Sequence, residues 1–350
     1  MAVVFTEAAD MAEGRALLRT GSRSFHLASY LLPKPTRESA TALYAFCRLA
    51  DDAIDLGTDG AAGLVALREQ LDRVYAGTPA PLAVERLLAE TVVRHRVPRE
   101  LLEALLEGFE WDLASRRYET LAELHAYAAR VAGSVGATMT VLMGVRQGAV
   151  LARACELGIA MQLTNIARDV GQDARAGRLY LPLEWLREAG IDPDALLAEP
   201  VFNEALAGVI ERLLAAADEL YARASKGIAH LPRQARPGVH AARLLYAEIG
   251  HELRRMGHDS LAARARVGRT RKLALLLNAL GATLQGGGEL PHAPLPEARF
   301  LVDAVQRQPM PVGTRDASQG RVEWVVDLFA RLEERQHGSL EGADSASASA

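Results

Sequence analysis

The chain has 350 residues and a formal net charge of −4; 49% of the residues are hydrophobic and only 5% aromatic. That length and apolar content suffice for one large buried core, and the charge balance excludes the broad basic footprint that nucleic-acid binding needs. Cys47 and Cys155, each inside an apolar helical pattern, predict buried thiols in a reducing compartment rather than a disulfide framework.

The first residues, MAVVFTEAADMAEG, are acidic and lack a basic segment followed by a long apolar one. Neither a secretion signal nor a membrane span is expected, and the expected location is the cytoplasm, with peripheral contact at the inner membrane surface. Helical periodicity then recurs along the whole chain, broken by Gly and Pro. A first helix is expected over roughly Thr6 to Thr20, and GSRSF turns into a second. LLPKPTRE breaks the pattern, and Thr36 with Ser39 can cap a helix running to about Leu56. Further helices are expected near 61–76, 81–95, 99–115, 120–144, 147–173, 183–189, 201–230, 235–257 and 270–283. Gly281 to Glu297, with GGGE and three prolines, reads as a long loop. An amphipathic helix, RVEWVVDLFARLEERQ, follows before the polar tail GADSASASA, which reads as disordered. No stretch sustains the period-two alternation of a strand, so the expected fold class is all-α. The expected organisation is one helical domain over 1–290, a loop and helix over 291–337 packed on or beside it, and a disordered tail over 338–350.

Two aspartate pairs carry the chemistry. Asp51 and Asp55 lie in RLADDAIDLG, and Asp169 and Asp173 in NIARDVGQDARAGRLY, each pair spaced i, i+4 with Arg48 or Arg168 just upstream. On a helix that spacing puts both carboxylates on one face, where their repulsion calls for a positive partner. Mg²⁺ suits the role, because it takes one or two carboxylates together with substrate phosphate oxygens. At 100° per residue, Gln162, Asn165, Asp169 and Asp173 fall within about 80° of one another, and Arg48, Asp51 and Asp55 within about 60°. A solvated acidic face would explain either pair alone. Two pairs, the second aligned with Gln and Asn, favour a wet, metal-binding cleft.

Basic groups must hold a diphosphate. Ser22, Arg23 and Ser24 lie at a helix start, where free backbone N–H groups favour anions. Arg264, Arg266, Arg269, Arg271 and Lys272 crowd another segment, of which one or two are expected to reach phosphate. Between the acidic motifs, Ala132, Gly133, Gly136 and Ala137 form a small-residue stripe that serves either tight helix packing or a tunnel for a long apolar ligand. The chain contains no H-E-x-x-H, Cys-x-x-Cys or G-x-S-x-G pattern, and GGGE fits neither a P-loop nor a dinucleotide fingerprint.

GSRSF, YAFCRLADDAID, YAARVAGSVG and above all QLTNIARDVGQDARAGRLYLP resemble the bacterial phytoene synthases of the squalene/phytoene synthase family, with likeness from about Thr20 to Lys272. The resemblance implies an all-α isoprenoid-synthase bundle around a central cavity. It also implies head-to-head condensation of two geranylgeranyl diphosphates through prephytoene diphosphate to phytoene. Asp51, Asp55, Asp169 and Asp173 match its Mg²⁺ sites, with Asn165 a further ligand and Mn²⁺ an alternative ion. Ser22, Ser24, Arg48, Tyr246 and Arg264 match diphosphate-contacting positions, Arg264 least well, while Arg168 and Gln162 sit beside the second motif. Phe25 and Tyr127 match residues along the path of the cation, whose charge ring faces stabilise. Ser29, one turn after Phe25, would leave the tunnel deep, which favours the C20 substrate over the C15 one. No NADPH requirement is expected. The competing readings are a C30 dehydrosqualene or squalene synthase of the same family, a head-to-tail prenyltransferase or terpene cyclase, and a non-catalytic helical membrane-associated assembly factor. Oligomeric state has no sequence signal.

Overall fold

The computed structural model describes residues 8–21, 26, 28–55, 60–282, 289–290 and 293–308, without the side chains of residues 20, 21, 54 and 55. These belong to the first of two units, Met1–Gln308; the second, Pro309–Ala350, which holds the expected last helix and tail, lies outside them. All the regular elements among the described residues are helices, with no strand.

In chain order the helices are α1 (Ala8–Gly21), α2 (Lys34–Asp55), α3 (Gly60–Ala76), α4 (Ala83–His95), α5 (Arg99–Leu113) and α6 (Leu121–Ala128). A π-helical turn, Ala129–Gly133, runs straight into α7 (Ser134–Leu142). Then come α8 (Gly148–Arg175), α9 (Leu183–Glu188), α10 (Pro193–Ala198), α11 (Glu204–Ile228), α12 (Arg236–Arg255) and α13 (Arg269–Ala282). A 3₁₀ turn, Pro296–Ala298, leads into α14 (Arg299–Gln306).

Local chemistry sets the boundaries. Thr120 accepts a hydrogen bond from the Glu123 backbone N–H and starts α6, and Asn203 does the same for α11 through Leu206. Gly177, at φ 74°, ends the turn after α8 in the left-handed region that glycine reaches without strain.

At 28 residues, α8 is the axis of the unit. Leu151, Cys155, Ile159 and Leu163, spaced one turn apart, are fully buried. Around α8 pack α7, α11, α12 and α14. Where α8 meets the α6–α7 rod the backbones nearly touch. A Cβ on Gly136 would lie 2.2 Å from the Ala154 carbonyl oxygen, and one on Gly158 2.2 Å from that of Ala132. Only glycine fits at both positions.

Three features depart from the sequence expectation. The single helix expected over 120–144 is interrupted by the π-helical turn, an insertion that periodicity does not register. The short α10, capped by Asp192, and α14, whose Leu301 and Val305 are fully buried, have no counterpart among the helices expected from sequence. Both are too short for a 3.6-residue repeat to stand out.

Candidate active site

A cavity of about 890 Å³ runs between α2, α5, the α6–α7 rod, α8, α11 and α12. The volume lies at the upper end for ligand pockets. Its stripe along α8 extends from Val150 through Ala154, Leu157, Met161 and Asn165 to Asp169 and Asp173. One end is therefore apolar and the other charged. The i, i+3/i+4 spacing that forms the stripe is the one read from the sequence.

The charged end gathers most of the residues singled out by sequence. Arg48, Asp51, Tyr127, Gln162, Asn165, Arg168, Asp169, Asp173, Tyr246 and Arg264 all line the cavity, as does Ser29. Ser22, Ser24 and Phe25 lie outside the described residues, and so does the Asp55 side chain at the end of α2. Two acidic segments 118 residues apart in sequence, Asp51 to Asp169, thus face one space.

On α2, Arg48 donates to Asp51 at 3.2 Å and to Asp52 at 3.0 Å. On α8, Arg168 donates through Nε (2.8 Å) and Nη2 (2.5 Å) to the two oxygens of Asp169, and Arg264 grips the same carboxylate at 2.7 and 2.9 Å. Burial pushes the Asp169 carboxyl upward, but the two guanidinium groups outweigh it and hold it below the usual carboxylate range. Asp173, one turn on, behaves oppositely: burial, and then the charge of Asp169, push it up to about 7. Nearby, the Asn165 Oδ1 is buried without a hydrogen-bond partner.

These observations test whether the residues fit a divalent cation. A buried amide oxygen lacking a donor, beside a carboxylate whose ionisation is suppressed by burial and by its neighbour, is a donor set that a hard cation completes. No group of three or more His, Cys, Asp or Glu among the described residues is arranged to hold a metal unaided. Mg²⁺ ordinarily takes part of its coordination from water and substrate phosphates. The Arg168 and Arg264 guanidinium groups present planar donor forks of the kind that also match phosphate oxygens.

Sequence reasoning missed three lining residues: Asp112, Arg178 and Tyr180. Asp112 accepts hydrogen bonds from Tyr127 (2.9 Å) and Tyr180 (2.7 Å), one on each carboxylate oxygen. The two rings stack with centroids 5.2 Å apart, and Tyr118 lies 5.2 Å from Tyr127 behind them. Arg178 and Tyr180 stood within the GRLYLP segment and could have been named from it. Asp112, one of several acids on an amphipathic helix, carried no such signal.

Other expectations divide. Cys155 is fully buried, but Cys47 is only half-buried and lines the cavity, where burial pushes its thiol up to about 12. In the small-residue stripe Ala132 and Gly136 line the cavity, while Gly133 and Ala137 are buried in packing. The stripe therefore serves tight helix packing, and at Ala132 and Gly136 it borders the cavity as well. Of the basic run, Arg264 enters the site, and Arg271 instead pairs with Glu248 on α12.

A family profile described as Squalene/phytoene synthase matches residues 18–271. The chain is 46% identical over 340 residues to a phytoene synthase of Cereibacter sphaeroides, covering 93% of this chain and 94% of that one. It is 48% identical over 338 residues to a phytoene synthase of Rhodobacter capsulatus, covering 94% and 98%. Among solved structures, one described as a dehydrosqualene synthase in complex with ligand matches with a TM-score of 0.70 at 31% identity, over 78% of this chain and 96% of that one.

Proposed function

This chain belongs to the squalene/phytoene synthase family and is a prenyltransferase of the phytoene synthase type; we propose that its cavity joins two geranylgeranyl diphosphates head to head, with Mg²⁺ held at the charged end. The observation that carries the mechanism is the arrangement of the cavity, with acids and arginines at one end and an apolar tunnel behind them.

The side chains divide the work. Arg48, Arg168, Arg178 and Arg264 bind diphosphate oxygens and fix the allylic carbons in the tunnel. Asp51, Asn165, Asp169 and Asp173, with Asp55, would hold Mg²⁺, for which Mn²⁺ can substitute. When bound, the cation supplies Lewis acidity that draws charge from the departing diphosphate. The first C–O bond breaks to give an allylic cation, and the alkene of the second substrate attacks it, closing the cyclopropane of prephytoene diphosphate with loss of a proton. Loss of the second diphosphate, rearrangement and loss of another proton give phytoene. Tyr127 and Tyr180 present their stacked rings to this path, their phenols held by Asp112. Hydrogen bonding to a carboxylate makes those rings more electron-rich and better partners for a cation. Val131, Val135, Met139, Leu157 and Met161 keep water from the carbocations.

The C20 substrate is favoured by the identity of 46–48% to phytoene synthases against 31% to the dehydrosqualene synthase structure. Ser29, buried and lining the cavity, supports the same choice. No NADPH is needed for phytoene. A greasy product further implies loose contact with a membrane surface from the cytoplasmic side; no helix among the described residues is long and apolar enough to cross one. Incubation with Mg²⁺ and either geranylgeranyl or farnesyl diphosphate tests the reading. A C40 triene-centred hydrocarbon formed without NADPH is expected, and preferential formation of a C30 product would replace it with the dehydrosqualene synthase reading.

A further inference from the structure

A deeply buried ion cluster lies at the apolar end of the cavity, away from its acidic end. Glu156 on α8 is fully buried and Arg153 is 2% exposed. The Glu156 Oε1 accepts from Arg153 Nη2 at 2.6 Å and from Arg223 Nη2, on α11, at 2.5 Å. Arg153 Nη2 also donates to the Ala293 carbonyl at 3.0 Å. Arg153 Nε, Arg223 Nε and Glu156 Oε2 are buried without partners. A buried cluster that leaves polar atoms unpaired is a poor source of stability. Its geometric effect is definite: the Glu156 carboxylate ties α8 to α11 through Arg223, and Arg153 ties α8 to the segment at 293.

Those helices also carry the closed end of the tunnel. Val150, Ile228 and Leu231 pack into one cluster with Met143 and Val239, and all five line the cavity. The stem of Arg153 lines it as well, and it passes so near Gly227 that a Cβ there would lie 2.4 Å from the Arg153 Cβ. Val150 precedes Asp169 by 19 residues of continuous helix, about 28 Å at 1.5 Å per residue. A geranylgeranyl chain built from bonds of about 1.5 Å extends roughly 20 Å, and each isoprene unit contributes roughly 5 Å. That depth holds four units and a diphosphate, and a fifth unit would meet the floor.

We propose that the Arg153–Glu156–Arg223 cluster is a positioning device that holds the tunnel floor in place and thereby sets the upper limit on prenyl chain length. The proposal rests on the phytoene synthase reading and adds which residues limit the substrate. Opening the cluster lets α8 and α11 part, and Val150, Ile228 and Leu231 yield to a longer chain.

The test uses the full chain with Mg²⁺ and separately the C15, C20 and C25 allylic diphosphates, reading kcat/KM and product length. Conversion of the C20 substrate to a C40 hydrocarbon by the unaltered chain checks the functional reading independently. Val150→Ala, which lowers the floor directly, should raise the C25:C20 ratio of kcat/KM roughly tenfold or more, the scale of discrimination by an apolar pocket. Glu156→Gln and Arg153→Met should raise it in the same direction and yield C50 product. Arg223→Gln, at a half-exposed site and so milder, carries the same test if the buried variants do not fold. A C25:C20 ratio unchanged in folded cluster variants, or a parallel loss of activity on both substrates, would overturn the proposal. An unchanged ratio in Val150→Ala would overturn the floor itself.

Discussion

Asp169 is held by two guanidinium forks, while Asp173, one turn away, is pushed up to about 7 by burial and by the charge of Asp169. The same residue type therefore sits in opposite electrostatic states on one helix face, a division typical of sites that bind charge. Asp169→Asn removes the charge but keeps the shape. Turnover should fall by about 10²–10³-fold, the usual cost of deleting one preorganised electrostatic contact, with the far-UV circular dichroism unchanged. Full activity in that variant would remove Asp169 from the site. At this scale the sequence was most legible where identity and spacing coincide, as for Gln162, Asn165, Asp169 and Asp173. It was silent on Asp112, because what distinguishes that carboxylate is two tyrosines that reach it from 15 and 68 residues away.

Among the elements, α8 and the α6–α7 rod approach so closely that Gly136 and Gly158 admit no side chain. Gly158→Ala would drive a methyl into the Ala132 carbonyl, with rigid backbone on both sides and no flexible group to yield. Overpacking of this kind costs roughly 1–3 kcal/mol or more, and a lowered urea midpoint is expected. The α12–α13 junction offers a pH-dependent contact. Glu248 is 2% exposed, yet hydrogen bonds from Arg271, Arg255 and His251 outweigh the effect of burial and bring its carboxyl down to about 2. A carboxyl depressed in the folded state stabilises fully above its unfolded pKa of about 4.3, and that stabilisation is lost as pH falls toward 2. Screening of the half-exposed arginines limits it to the order of 1 kcal/mol. The excess thermal stability of the unaltered chain over Glu248→Gln should be present at pH 6 and vanish between about pH 4 and 2. A gap that widens on acidification would refute the assignment.

Across the whole unit, helix follows helix with boundaries mostly within a few residues of those expected, since 3.6-residue periodicity and Gly or Pro breaks mark long amphipathic helices well. The exception with structural weight is α14. Its Leu301 and Val305 are fully buried, and it packs on α5, α7 and α8. Leu301→Ala should destabilise the fold by roughly 2–5 kcal/mol while leaving kcat and KM at 25 °C near those of the unaltered chain. A variant with intact stability would show that this helix is only peripheral to the core.

By itself the sequence determined the all-α class, most helix spans and the two acidic stripes, because each is a local property of residue type and helical period. The likeness of its motifs further indicated the chemistry. Tertiary structure alone decided that the acidic stripes face one cavity, that Asp112 holds two phenols and that a buried ion cluster lies behind the tunnel floor. These depend on contacts between residues far apart in the chain, and no local period encodes the distance at which two helices come to rest.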